Sequence, residues 1–449
     1  MTRHPPVLRA LAHALACVLA ALSALALAPA PARAHPMPRT HVLLDVGARA
    51  VDAELQLPVN ELELGFQHRL LDAPAARVAQ LHDTLVAYIA AHVRAVSPDG
   101  RPWAVAVAPG LRVATIDQVP TVVAHVHLRP PAGAPVRRFT LHYDVIQHQL
   151  VTHRYLLAVR RDWDGGTLDG PPVVIADEVG YPDPTVRVDL PAGGAWRGVG
   201  SVVGLGMRHI AEGTDHLLFL LVLLLPAALV PLGGRAGAAR WGGYDGLRPT
   251  ARYLVRVVTA FTAGHSLTLA AGAVGLLRLP SRPVETLIAV SIFVSAVHAL
   301  RPLFAGREAL VAGGFGLVHG LAFATVVAGF GLDAWHTTLA ILGFNVGIEC
   351  MQLLVVAAAA PWLLLLARTP YYALLRVPAA VVAGAAALAW ALERALDWPN
   401  PVGPWVERAA AHPGWLVGGL AAAALLATVR TTLRGASQRG AARVAPHAT

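Results

Sequence analysis

Three patterns of apolar and polar residues follow one another along the 449-residue chain. The first is a short apolar run, 11–28, preceded by Arg3 and Arg9 and followed by Ala32-Arg33-Ala34. A positive start, an apolar stretch and a small-residue cleavage site read as a secretory signal over 1–34, so that the mature chain begins at His35. The second pattern, 35–191, alternates apolar and polar residues in short runs such as 41–46, 51–57, 122–128 and 138–145, separated by Pro, Gly and Asp. That period of two predicts an antiparallel β domain. Within it Val78, Leu81, Leu85 and Ile89 recur at helical spacing and predict one helix over 75–95. The expectation is a sandwich with a helical insertion.

The third pattern starts after a short hinge, 192–198, holding Gly193, Gly194 and the interfacial aromatic Trp196. Seven apolar stretches, near 199–232, 253–277, 284–304, 309–331, 337–366, 372–393 and 415–430, are each long enough to cross about 30 Å of hydrocarbon. They predict an all-α membrane bundle of about seven transmembrane helices over 199–430, followed by a tail, 431–449.

Composition agrees with that division. Hydrophobic residues make up 55% of the chain and charged ones only 14%, which excludes an ordinary soluble domain. The net charge of +9 comes wholly from arginine, for there is no lysine, and its dispersal argues against a nucleic-acid partner. Placing the β domain outside the membrane puts twelve arginines in the inward loops and tail and four in the outward loops. Positive residues gather on the cytoplasmic side. The predicted setting is therefore a bacterial inner membrane, with the N-terminal domain periplasmic and the C-terminus cytoplasmic. Cys17 falls in the leader, so the mature chain keeps only Cys350 and can form neither an internal disulfide nor a thiolate zinc or iron-sulfur site.

Histidine, with 20 copies, is the abundant soft ligand. Ten lie between 35 and 200, including His35, His125, His127, His142, His148 and His153. They suggest metal capture outside the membrane, against the plainer reading of ordinary surface histidines. Ionisable residues inside hydrocarbon are costly and mark a pathway or site. The first expected span carries His209, Glu212, Asp215 and His216. On a continuous helix His209, Glu212 and His216 fall within an arc of about 60°. Imidazole plus carboxylate on one stripe suits nickel, cobalt or zinc; the alternative is an ion-pair patch in which Arg208 neutralises the acids. The second span adds Thr262, His265 and Ser266; the third opens on Glu285 and aligns Ser291, Ser295 and His298; the fourth holds His319 between Gly316 and Gly320; the fifth aligns Asn345, Glu349 and Gln352. Each has a bland reading as an interhelical hydrogen bond or a helix-end charge. Five consecutive spans so equipped point instead to one shared site for a divalent metal ion.

The motifs in 198–360 resemble the HupE/UreJ family, in the branch with an exported N-terminal domain. The resemblance rests on Arg208-His209-Ile210 through Asp215-His216-Leu217-Leu218, on Phe261-Thr262 with His265-Ser266-Leu267, on Val284-Glu285 with Ser291-Ile292, on Phe315-Gly316-Leu317-Val318-His319-Gly320, and on Phe344-Asn345-Val346-Gly347-Ile348-Glu349. The spacing of His209, Asp215 and His216 is also similar to the metal-binding helix of nickel and cobalt permeases. His298 and Ala299 depart from it, standing where the branch has a Glu-Asn pair. The resemblance implies transport of nickel or cobalt, with zinc an alternative, and partners such as a periplasmic metal donor or a metalloenzyme-maturation protein. Two other classes stay open: an intramembrane metal-dependent hydrolase, and a metal-sensing or assembly accessory protein.

Overall fold

The computed structural model describes residues 38–233, 239–277, 279–328, 330 and 332–444. The expected signal segment and His35 lie outside them.

In the first half, alternating burial builds ten strands: β1 (Thr40–Val46), β2 (Val51–Pro58), β3 (Val93–Val96), β4 (Ala104–Val107), β5 (Arg112–Ile116), β6 (Val119–Arg129), β7 (Arg138–Tyr143), β8 (Tyr155–Asp162), β9 (Val173–Val179) and β10 (Thr185–Asp189). The larger sheet runs β4-β6-β2-β1-β8-β9, with β5 also on β6; the smaller runs β10-β7-β3. One core serves both, filled by Leu44, Leu55, Leu57, Phe139, Tyr143 and Tyr155. The larger sheet is mixed rather than antiparallel, because β8 lies parallel to β1, with Val42 opposite Leu157. The chain leaves β6 to place β7 in the smaller sheet, and that long detour lets β8 return in the direction of β1. Only close neighbours in sequence are confined to antiparallel hairpins. The helical insertion is also divided: α1 (Val59–Phe66), α2 (Pro74–Gln80) and α3 (His82–Ala91) replace one helix. Val59, Leu62 and Phe66 supply the buried face of α1, a stripe too short to stand out beside the adjoining strand.

The second half is helical: α4 (Ala195–Glu212), α5 (Thr214–Leu224), α6 (Leu247–Ala273), α7 (Ser281–Leu300), α8 (Glu308–Ala328), α9 (Ala334–Ala367), α10 (Tyr372–Leu396), α11 (Gly403–Ala410) and α12 (Pro413–Val444), with a hairpin of β11 (Leu229–Leu232) and β12 (Arg240–Tyr244) between α5 and α6. Among the described residues five helices are long and apolar enough to cross a membrane: α6, α7, α9, α10 and the 413–434 part of α12. The first expected span is not continuous, being interrupted at Gly213, whose extended backbone (ψ 93°) separates α4 from α5. A discontinuous helix in a membrane exposes backbone groups that must find partners nearby, so such breaks occur where protein surrounds them.

Two pairs of helices cross very closely, and small residues make that possible. In the first pair, a Cβ on Gly347 of α9 would strike the Val203 carbonyl of α4, and one on Gly206 the Phe344 carbonyl. In the second, Gly316 of α8 lies against the Phe261 carbonyl of α6, and Gly320 against that of His265. Gly343 meets Val199 as Gly347 meets Val203, and Gly316 meets Phe261 as Gly320 meets His265, so α4 runs parallel to α9 and α6 parallel to α8.

The β domain is docked on the near end of this bundle. Trp163 and Leu168 join a core with Val202, Leu205 and Phe344. Asp169 pairs with Arg208 at 3.0 Å. Residues 192–198 are tied as well: Arg137 Nε donates to the Pro191 carbonyl at 2.9 Å, and Gly194 N to the Asp164 carbonyl at 2.9 Å.

Candidate metal centre

The break at Gly213 shapes the first part of the site. A Cβ there would meet the His209 carbonyl and the His216 ring, so the smallest residue lets the chain fold back on itself. Asp215, in the first turn of α5, accepts from the His216 backbone N–H at 2.9 Å and from His216 Nδ1 at 2.9 Å. The first bond satisfies one of the free amides that begin a helix. The second holds the imidazole with Nδ1 protonated, which leaves Nε2 as a bare lone pair; that nitrogen is buried and has no partner.

The glycine crossing of α6 and α8 positions two more histidines. Gly320 sits against the backbone of His265, bringing His319, its neighbour, beside it. Both are fully buried, at 0% exposure. Ser291 of α7 donates its hydroxyl proton to the Ile288 carbonyl at 2.7 Å and lies 3.0 Å from His319 Nε2. Its oxygen therefore accepts from Nε2, leaving the unprotonated Nδ1 of His319 buried and unpartnered. The same orphaned state holds for His209 Nε2 and for both ring nitrogens of His265. Burying a polar group without a partner costs about 1–3 kcal/mol, and five such nitrogens in one place call for a ligand.

They do converge. One ligand nitrogen each from His209, His216 and His265 lies within 4.8 Å of the others. The His209 and His216 rings are 4.6 Å apart, and His319 stands 5.1 Å from His216. This is the one group of three or more metal-capable side chains among the described residues. Three imidazoles backed by a carboxylate that orients one of them suit a borderline transition metal, whereas oxygen-rich sets suit magnesium or calcium.

The other carboxylates stand apart. Glu212 is exposed, because the break ends the stripe that a continuous helix would have carried through it. Glu285 is half exposed, 3.5 Å from Arg394. On α9, Asn345 donates to the Ile341 carbonyl at 2.8 Å while its buried Oδ1 has no partner. Glu349, one turn further on, is half-buried with no hydrogen bond or ion pair among the described residues. Gln352 accepts from Thr262 at 3.2 Å. His298 caps the loop after α7: its Nδ1 accepts from the amides of Leu303 and Phe304 at 3.1 and 3.4 Å.

Several histidines of the β domain are paired with acids, and three of them gather at Asp144, which lies 2.9 Å from His92 and 3.6 Å from His142 while His148 stacks on His92 at 4.0 Å. His127 bonds Asp52, His153 bonds Glu61 and Thr40, and His92 bonds Asp144. Sequence reasoning passed over the aromatic surroundings of the centre. Phe323 and Phe344 stack on each other at 4.2 Å and flank His209 at 4.6 and 5.4 Å; Phe219 and Phe261 each lie 5.2 Å from His319. An aromatic residue in an apolar helix carries no pattern of its own, so only assembly reveals such contacts.

Residues 187–394 match the family model described as HupE / UreJ protein. No curated protein and no solved structure matches the chain.

Proposed function

We propose, from the premise that residues 187–394 are a HupE / UreJ family domain, that this membrane protein binds a divalent transition metal in its helical bundle and carries it across. Nickel or cobalt is the cargo, with zinc as the competing ion. The observation that carries this reading is the convergence of His209, His216 and His265 within 4.8 Å, with unpartnered nitrogens on all three. His319 is the fourth ligand, Asp215 the group that orients His216, and Asn345 and Glu349 the polar residues that the ion meets along α9. A discontinuous helix at the binding site suits a transporter, since the freed backbone groups at the break can also face the passing ion.

The finer setting belongs to the same proposal. The chain crosses the inner membrane seven times, the α4 and α5 halves together making the first crossing. The signal segment is removed, the β domain stands in the periplasm, and the C-terminus is cytoplasmic. A periplasmic donor or a maturation protein supplies or receives the metal. A hydrolase reading has less support. It needs a carboxylate free to activate water beside the metal, yet Asp215 is bonded to His216 and Glu212 is exposed.

The test is radiometal uptake into cells and proteoliposomes. His216→Ala should abolish nickel and cobalt accumulation, and Glu349→Gln should slow it. Equal uptake by the wild type and both variants would remove the transport reading.

A further inference from the structure

The four imidazoles form a column, and aromatic rings close it at both ends. At the end facing the β domain stand Phe323 of α8 and Phe344 of α9. Their ring centroids are 4.2 Å apart and their planes 7° from parallel, so they touch face to face and admit not even a water molecule. Both also lie against His209, the first ligand on that side. At the opposite end Phe219 of α5 packs on Phe261 of α6 at 5.1 Å and on Phe315 of α8 at 5.9 Å. Phe219 and Phe261 cover His319, each at 5.2 Å. The order along the bundle follows from the helix directions. On α8, Phe315 and Phe323 flank His319 in sequence, one turn to either side. On α6, Phe261 precedes His265 by one turn, and the contacts of Thr262 with Gln352 and of His265 with Phe344, 6.4 Å between ring centroids, make α9 antiparallel to α6. Phe344 therefore lies toward the β domain and Phe261 away from it.

The rings are divided between two closely packed helix pairs. Phe344 belongs to the α4/α9 pair and Phe323 to the α6/α8 pair, and each pair is locked internally by its glycine crossing. His209 goes with the first pair; His265 and His319 go with the second. Separating the pairs at the near end would part the Phe323–Phe344 stack while leaving each crossing intact. At the far end, Phe219 is carried by α5, beyond the Gly213 break, while Phe261 and Phe315 belong to the α6/α8 pair.

We infer that the structure is an occluded state with two aromatic gates: Phe323–Phe344 controls access to the histidine column from the β-domain side, and Phe219 with Phe261 and Phe315 controls access from the other side. The inference rests on the proposed transport reading for its purpose. Each gate opens in turn by displacement of one helix pair, as rigid-body alternation requires.

Diethyl pyrocarbonate, which acylates accessible unprotonated imidazoles, tests the gates without any metal. Full-length protein in lipid nanodiscs would be reacted briefly and each histidine followed by peptide mass spectrometry. In the wild type His209, His216, His265 and His319 should react at least about tenfold more slowly than the exposed His412, since modification then waits on opening. Phe344→Ala should accelerate His209 and leave His319 slow; Phe261→Ala should do the reverse. If either alanine variant lowers the melting transition, Phe344→Leu and Phe261→Leu, which keep most of the volume, give the same comparison. Wild-type histidines as fast as His412, or variants that accelerate both ends alike, would overturn the gates even in a protein that transports metal. Slow histidines with end-specific acceleration, in a protein that moves no metal, would uphold the gates and remove the transport reading instead.

Discussion

Asp215 does two jobs with one oxygen, holding the start of α5 and fixing the His216 ring. Its role at the proposed metal centre is indirect, for it sets which nitrogen of His216 is bare. Partners of this kind are worth about 10–100-fold in metal affinity. Asp215→Asn should therefore weaken nickel or cobalt binding, read by isothermal titration, by about that factor, while His265→Ala should weaken it further. An Asn variant that binds as well as the wild type would mean that His216 needs no such orientation. The helical arc read from the sequence put Glu212 on the stripe of His209 and His216, with Asp215 beside it. Their difference comes from one residue between them: Gly213 turns the chain, so Asp215 points back at His216 while Glu212 ends α4 facing outward. Helical periodicity favours Glu212 over Asp215, because the arc assumes a helix that the glycine interrupts.

At the scale of elements, the centre depends on how closely helices approach. The α6–α8 contact brings His265 next to His319, and the α4–α9 contact brings His209 over Phe344. Gly347→Leu would drive a branched side chain into the Val203 carbonyl and force α9 away from α4. Such overpacking costs about 1–3 kcal/mol. The expected outcome is a lower melting temperature together with loss of metal binding, whereas Gly314→Leu, where a Cβ meets nothing within 4 Å, should leave both unchanged. A Gly347→Leu protein with wild-type binding would show that the crossing does not position His209. The small residues flanking His319 were visible in the sequence as a packing stripe. Which helix they pack against was not, since Gly316 and Gly320 fit any partner equally well until the bundle is assembled. The strands were legible where alternation was clean, as in β1, β2 and β6. The parallel seating of β8 on β1 was not, because pairing of distant strands depends on the route of the chain between them.

For the whole molecule, the arginine distribution bears on orientation, and that proposal can be checked directly. A fluorescent protein that matures only in the cytoplasm should glow when fused after Thr449, and a periplasm-dependent phosphatase fused there should stay inactive; the opposite pair of results would reverse the orientation. The β domain is bound to the bundle by apolar and ionic contacts together. Trp163 lies in the shared core and 5.1 Å from the His336 ring, and Arg208 reaches Asp169. The domain thus rests on the same helix, α4, that carries His209.

The sequence by itself determined the division into a β-rich domain and an apolar helical domain, the resemblance of the latter to a known family, and the residue types able to hold a metal. Those properties live in local periodicity and composition, which survive without knowledge of any partner. The tertiary structure decided which of those residues meet. It gathered His209, His216, His265 and His319, left Glu212 and Glu285 apart, and closed the column with phenylalanines. The physical reason is that convergence depends on helix breaks and crossing distances of a few ångströms, which are set by Gly213 and by the glycines at two helix crossings acting between segments far apart in the chain.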